Sequence, residues 1–271
     1  MTVFSGRTAL VTGGGQGIGQ ALATQLAAAG ARVCVADLDQ DAAQSVASRI
    51  GGHAWWGDLR QADAVADMVA RTEATLGPVE ILISNAGRVS GGLAPPEAVQ
   101  DTLWQDAWDL HVMAHLRAVR AVLPGMQRRG QGWLCNVASA AGLLSQIGDA
   151  PYSATKHAAV SLAQSLAIDH GDTGITVSVV CPLYVATQML GYGSDDLSKP
   201  DHVLTPDQVA QETLDGMAAG RFLILPHPEA AALFQRRAND TDRWIRGMRR
   251  LRAGTLTDGS VQSIQTLHRK L

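Results

Sequence analysis

The sequence predicts an α/β fold: a single domain on a doubly wound parallel sheet of about seven strands, with helices on both faces. Three observations carry this expectation. Short β-type runs alternate with longer helical patterns along most of the 271 residues. The β-type runs are almost unbroken in apolar character, which suits strands covered on both sides, as in a parallel sheet. The first strand, helix and second strand also fit within about 30 residues, the length of one β-α-β unit, whose repetition winds such a sheet.

The elements follow in order. "RTALVTG", from Arg7, reads as the first strand. In the helix after it, "GIGQALATQLAAAGA", Ile18, Leu22, Leu26 and Ala29 share one face and Gly30 is placed to end the turn. Further strands are expected at "ARVCVAD" from Ala31, "HAWWGD" from His53, "VEILISNAG" from Val79, "GWLCNVAS" from Gly132, "ITVSVVCP" from Ile175 and "FLILP" from Phe222. Two segments break the rhythm. Residues 183–206 are rich in Gly, Ser, Asp and Pro and read as a long loop with one short helix. A loop of that length after a strand's carboxyl end is often a functional lid. Residues 1–230 are therefore taken as the main domain, and 231–271 as a helical extension and polar tail.

Composition narrows the classes. With a net charge of −3 and 17% charged residues, the chain gives no general electrostatic reason to expect nucleic acid or an anionic membrane as partner. No run reaches the roughly 18 apolar residues of a spanning helix. The start, "MTVFSGRTALVTGG", has no charged leader followed by an apolar run, so a cytoplasmic protein is expected. Cys34, Cys135 and Cys181 are odd in number, far apart and set in apolar runs, which points to buried free thiols rather than disulfides or a metal site. "RRANDTDRWIRGMRRLR" carries seven arginines, but its aspartates and the apolar Trp244, Ile245, Met248 and Leu251 suit a helix packed on its own domain or a neighbouring subunit.

"TGGGQGIG" (Thr12 to Gly19) lies directly between the first strand and the first helix. Glycines there let the backbone turn sharply and bring its amides, and the positive end of the helix, against a pyrophosphate. Gly13, Gly15, Gln16, Gly17, Ile18 and Gly19 are thus candidate dinucleotide contacts. Asp37, with Leu38 beside it, closes the second strand about 20 residues beyond the glycines, where a carboxylate accepts from the adenosine ribose hydroxyls. That carboxylate repels a 2′-phosphate, and Gln16 rather than a basic residue stands in the loop, so NAD is expected over NADP. Asp58 and Leu59 are placed to reach the adenine. Asn85, Ala86 and Gly87 end the fourth strand on the same carboxyl edge, where such sheets bind ligands.

Oxidising an alcohol by hydride removal also requires removing its hydroxyl proton. Tyr152 stands four residues before Lys156 in "YSATK". One helical turn apart, the ammonium is expected to favour the phenolate and lower the tyrosine pKa from its ordinary value near 10. Ser139, at the end of the fifth strand in "CNVASAAG", can hydrogen-bond a substrate oxygen and hold it at the tyrosine.

These motifs, "TGGGQGIG", "SNAG", "NVAS" and "YSATK" in that order, make the chain resemble the short-chain dehydrogenases/reductases of the main, roughly 250-residue type, from about Arg7 to Pro226. The resemblance implies a Rossmann-like fold and NAD(P)-linked interconversion of alcohols and ketones. Tyr152 becomes the acid/base, Ser139 the substrate-orienting hydroxyl, and Lys156 both pKa tuner and binder of the nicotinamide ribose. Pro182, Val185 and Thr187 are implied to face the nicotinamide carboxamide. The family's relay asparagine in the fourth long helix is matched here to His115, read either as an altered relay or as a histidine packed in the helix interface. Leu183 replaces the glycine usual after Pro182, and Ser84 the usual first asparagine of "NNAG". The substrate wall is expected from Ser139, Ala141, Leu143, Tyr152, Leu183, Tyr184, Met189, Leu190 and Tyr192, with Val89 and Ser90 opposite. Its apolar character, with no lysine or arginine poised for an anion, points to a lipophilic secondary alcohol or ketone. The resemblance further implies a homo-oligomer, tetramer or dimer, through the helix of His115 and that of Tyr152. A cofactor-binding regulator with weak or no turnover is the alternative on the same fold.

Overall fold

The computed structural model describes residues 2–90, 94–193 and 199–256. Residues 194–198 of the expected lid and 257–271 of the expected tail lie outside the described residues. The seven expected strands all form: β1 Thr8–Thr12, β2 Arg32–Asp37, β3 His53–Trp56, β4 Val79–Ser84, β5 Gly132–Val137, β6 Ile175–Val180 and β7 Leu223–Ile224. They make one parallel sheet in the order β3-β2-β1-β4-β5-β6-β7. The order reverses between β1 and β4, so a crevice opens at their carboxyl ends.

Helices cover both faces: α1 Gly17–Ala28, α2 Gln40–Ile50, α3 Ala62–Leu76, α4 Asp101–Trp108, α5 Ala114–Arg129, the short α6 Ala141–Leu144, α7 Ala150–His170, α8 Pro206–Ala218, α9 Pro228–Asn239 and α10 Thr241–Leu256. Local chemistry sets their ends. The Asp39 side chain accepts from the Ala42 amide to start α2, and Gly51 at φ 65° stops it. Thr205 and Gln208 form a reciprocal cap on α8.

Alternate strand residues feed two cores. Leu10, Cys34, Leu82 and Leu134 face one side with Met68, Val122 and Ala163 from α3, α5 and α7. Val11, Val33, Ile83 and Cys135 face the other with Leu22, Val46 and Leu214 from α1, α2 and α8. This two-sided burial is why the strands read as unbroken apolar runs. All three cysteines are buried free thiols.

The C-terminal helices are packed on the domain. Leu233, Phe234 and Trp244 join the first core, and Met248 and Leu251 cover Ile147 in the loop before α7. No helix among the described residues is long and apolar enough to cross a membrane.

Candidate active site

The glycine turn is built by backbone geometry only glycine adopts freely. Gly13 and Gly17 have φ of 61° and 54°. At Gly19 a side chain would fall 2.0 Å from the Gly13 carbonyl oxygen, so the start of α1 sits directly on the turn. The end of β4 is stitched to this cradle. Thr12 Oγ1 accepts from the Asn85 and Ala86 amides at 3.0 and 3.1 Å, and Asn85 Nδ2 donates to the Thr12 and Gly13 carbonyls at 3.0 Å each. Asp37, almost fully buried, accepts from the Gly15 amide on Oδ2 at 2.8 Å and from the Asp39 amide on Oδ1 at 3.1 Å. Those bonds fix its carboxylate at the wall of a cleft of about 630 Å³.

The cleft brings together most of the expected residues. Gly13, Gln16, Gly17, Ile18, Asp37, Leu38, Asp58, Leu59 and Asn85 to Gly87 line one stretch, and Ser139, Tyr152, Lys156, Pro182 to Val185, Thr187, Met189 and Leu190 another. Gly15 and Gly19 lie inside the turn rather than on the cleft surface. The cradle fits a dinucleotide: the N-terminus of α1 faces the cleft where a pyrophosphate would lie, and a fixed carboxylate stands where ribose hydroxyls would be. The residues that would hold it are Gly13 to Gly19, Asp37, Asn85 to Gly87, Lys156, Pro182, Val185 and Thr187.

α7 carries the reacting pair. Its first turn is fixed by the buried Asp149, whose Oδ1 accepts from the Tyr152 amide at 3.1 Å and whose Oδ2 accepts from the Ser90 amide at 2.8 Å. Lys156 Nζ donates to the Val137 carbonyl at 2.9 Å and lies 5.6 Å from the Tyr152 ring centre. Electrostatically the pair departs from the expectation that the ammonium would dominate. Burial pushes the Tyr152 phenol up to about 12, a hydrogen bond with Ser139 only partly offsetting it, and pushes Lys156 down to about 8. Desolvation penalises both charged forms at once, so at neutral pH the tyrosine keeps its proton beside a largely charged lysine.

The histidine beside this pair is His111, not His115. A π-helical turn over Asp109–Met113 separates α4 from α5 and turns the His111 ring edge-on to Tyr152, 5.6 Å between ring centres. Its Nε2 accepts from the Arg88 amide at 3.1 Å and its Nδ1 meets Thr155 Oγ1 at 2.8 Å. Because Nε2 accepts, the ring proton sits on Nδ1 and is given to Thr155, whose hydroxyl donates in turn to the Pro151 carbonyl at 2.8 Å. His111 is fully buried, and burial first, then Lys156, hold it well below the usual histidine range, hence neutral. His115, one turn on, is buried; among the described residues no group meets either ring nitrogen in hydrogen-bonding geometry, and burial, then the Lys156 charge, pushes it down to about 3. A nearby Ala86 backbone group opposes that push only weakly.

Other expectations are corrected. Ala141 and Leu143 point into the core because α6 packs so tightly on α7 that a side chain at Gly142 would fall 2.6 Å from the Lys156 carbonyl oxygen. Tyr192 is buried and Ser90 is turned to Asp149; neither lines the cleft, whereas Val89 and Gln146 do. The Asp58 carboxylate is gripped by Arg60, Nη2 at 2.8 Å and Nε at 3.0 Å, which holds it below the usual carboxylate range. Arg60 and Arg88 both line the cleft, contrary to the expected lack of basic residues, and Asp106 bridges them at 2.9 Å each. Their charges are thereby matched by Asp58 and Asp106. Among the described residues no cluster of His, Cys, Asp or Glu could hold a metal ion.

Residues 7–197 match the family model described as short chain dehydrogenase. The chain is 35% identical to the 2,5-dichloro-2,5-cyclohexadiene-1,4-diol dehydrogenase of Sphingobium indicum, over 72% of this chain and 79% of that protein. It is 28% identical to the D-beta-hydroxybutyrate dehydrogenase of Cupriavidus necator, over 90% of this chain and 95% of that one. Among solved structures, a short chain dehydrogenase/reductase from Burkholderia phymatum in complex with NAD superposes with a TM-score of 0.78 at 28% identity, covering 89% of this chain and 96% of that chain. With the fold, the cleft and the ordered motifs in agreement, the chain belongs to the short-chain dehydrogenase/reductase family.

Proposed function

We propose that this protein is an NAD-dependent oxidoreductase that interconverts a lipophilic secondary alcohol and its ketone, with Tyr152 as general acid and base. The observation that carries this reading is the shared cleft: the buried Tyr152–Lys156 pair lines one part of it and the fixed Asp37 carboxylate another.

Bound nicotinamide supplies or accepts the hydride. The chain's own residues handle everything else. Ser139, half-buried on the cleft wall, holds the substrate oxygen by hydrogen bonding. Tyr152, protonated at neutral pH, gives its proton to that oxygen during reduction and takes it back during oxidation. The Lys156 ammonium, steered by the Val137 carbonyl, stabilises the phenolate left behind. His111 keeps the loop after β4 and the catalytic helix α7 in register through Arg88 and Thr155.

Asp37 favours NAD because its two backbone hydrogen bonds keep a negative charge where a 2′-phosphate would sit. The substrate class follows from the wall. Leu183, Met189, Leu190 and Val89 are apolar, and Arg60 and Arg88, the arginines among the described residues that line the cleft, are matched by aspartates. That favours a ring-borne alcohol, of the kind named for the Sphingobium relative, over the hydroxy acid named for the Cupriavidus relative. Oxidation of NADH and NADPH with a panel of cyclic and aromatic ketones tests the proposal. NADH is preferred by the wild type, and Asp37→Ala moves preference toward NADPH by at least about tenfold, the loss of a roughly 1.4 kcal/mol discrimination. Preference for NADPH in the wild type refutes the cofactor assignment. Tight NADH binding with no turnover on any ketone would favour a binding protein on the same fold.

A further inference from the structure

The segment after β6 supplies Leu183 and Tyr184 to the cleft wall, and its backbone is gripped by a residue from far along the chain. His227, immediately before α9 and fully buried, places Nδ1 3.2 Å from the Leu183 amide and Nε2 2.9 Å from the Tyr184 carbonyl oxygen. An amide can only donate and a carbonyl can only accept, so the imidazole is neutral with its proton on Nε2. One rigid ring thus satisfies the amide of Leu183 and the carbonyl of Tyr184, the outer polar atoms of a two-residue segment. The same Tyr184 carbonyl also accepts from the Leu204 amide at 3.0 Å, and on the near side the Pro182 carbonyl accepts from the Ala140 amide at 2.8 Å, one residue past Ser139. The wall is therefore clamped between the end of β5 and the start of α9.

We propose that His227 is a positioning residue for substrate binding: it sets the orientation of the Leu183–Tyr184 peptide and so the shape of the apolar wall against which a ketone must lie. The inference rests on the oxidoreductase reading of the cleft. Among the described residues His227 has no hydrogen bond to Tyr152, Lys156 or the glycine turn, so its role lies in KM for the ketone rather than in proton transfer. The ring also makes the clamp acid-sensitive. A second proton on Nδ1 would face the Leu183 N–H with another donor and break that bond. The groups bearing on the ring are the Tyr184 backbone and Glu229, which favour the proton, and His202, which with burial opposes it.

The test compares wild type with His227→Ala, His227→Asn and His227→Gln in steady-state reduction of cyclohexanone by NADH, with amide hydrogen exchange of the peptide spanning Leu183. His227→Ala loses both bonds. Its KM for the ketone rises about tenfold while kcat and KM for NADH stay within about threefold, and the Leu183 amide loses protection. Asparagine restores an acceptor for Leu183 and glutamine a donor for Tyr184, so each falls between alanine and wild type. Burial, the largest influence on the ring, holds His227 below the usual histidine range, so wild-type KM for the ketone is flat at neutral pH and rises only as pH falls below that range, and the asparagine and glutamine variants lack that rise because an amide does not titrate there. Unchanged KM and unchanged exchange in His227→Ala overturn the proposal, as does equal loss of kcat and NADH binding in all three variants. If the wild type itself reduces no ketone, the functional reading fails, and Leu183 exchange alone still decides whether His227 holds the wall.

Discussion

Replacing Lys156 with methionine separates what the lysine costs the fold from what it gives the reaction. The side chain is buried, its ammonium has one hydrogen bond, to the Val137 carbonyl, and burial pulls its pKa from 10.5 to about 8. At pH 7 the folded protein must keep that charge inside, a penalty of roughly 3 kcal/mol on the scale of 1.36 kcal/mol per pH unit. Methionine has similar length and no charge, but it leaves the Val137 carbonyl without its donor, a loss of about 1–3 kcal/mol. Lys156→Met is therefore expected to be about 1 kcal/mol more stable at pH 7, a rise in Tm of about 2–4 °C. The sign with pH follows from the depressed pKa. Between about 8 and 10.5 the unfolded chain binds the lysine proton more readily than the folded one, so wild type gains stability on this account as pH rises. By pH 10 most of the penalty is gone while the variant still lacks the hydrogen bond, and the order of stabilities reverses. Thermal and urea unfolding of both proteins at pH 7 and pH 10 measure this directly. Ketone reduction in the variant should fall by about 10²–10⁴. A variant less stable than wild type by the same margin at both pH values would refute the claim that the ammonium is held against its own desolvation.

Gly19→Ala should abolish NADH binding and lower stability, because the new methyl group falls 2.0 Å from the Gly13 carbonyl oxygen and 2.5 Å from Asn85 Nδ2; cofactor fluorescence titration and thermal unfolding report the two losses. His111→Ala leaves the Arg88 amide and the Thr155 hydroxyl without their ring partner and opens a cavity, costing about 2–4 kcal/mol in urea unfolding. His111→Asn keeps an acceptor and should retain kcat within about tenfold of wild type, whereas His115→Asn, away from Tyr152, should leave kcat unchanged.

Why some of this was readable in the sequence and some was not has physical reasons. The strands were legible because those inside the sheet are covered on both faces, so their apolar runs are nearly unbroken, as in Leu10 to Thr12 and Val177 to Val180. The glycine turn was legible because its positive-φ positions admit little else. The histidine that packs on Tyr152 was not. Two histidines four apart in one helix pattern are indistinguishable by spacing, and the π turn over Asp109–Met113 shifts the register by a residue, bringing His111 rather than His115 to Tyr152. Asp58 was placed at the adenine, and its pairing with Arg60 two residues on was not read, because Asp106, which holds Arg60 in place, comes from 46 residues away. Ala141 and Leu143 are apolar and follow Ser139, as a pocket wall would, yet the close packing of α6 on α7 turns them inward. The lysine's effect on the tyrosine was read as proximity alone, whereas burial is the larger influence on both groups.

Tyr152→Phe removes the one hydroxyl that, on the proposed mechanism, moves the proton accompanying hydride transfer. Purified wild type and variant are compared for NADH binding by fluorescence and for reduction of a cyclic ketone at pH 7. NADH affinity is expected within about threefold of wild type, with a fall in kcat of at least about 10²-fold. A phenylalanine variant that reduces the ketone as fast as wild type would rule out Tyr152 as the proton donor.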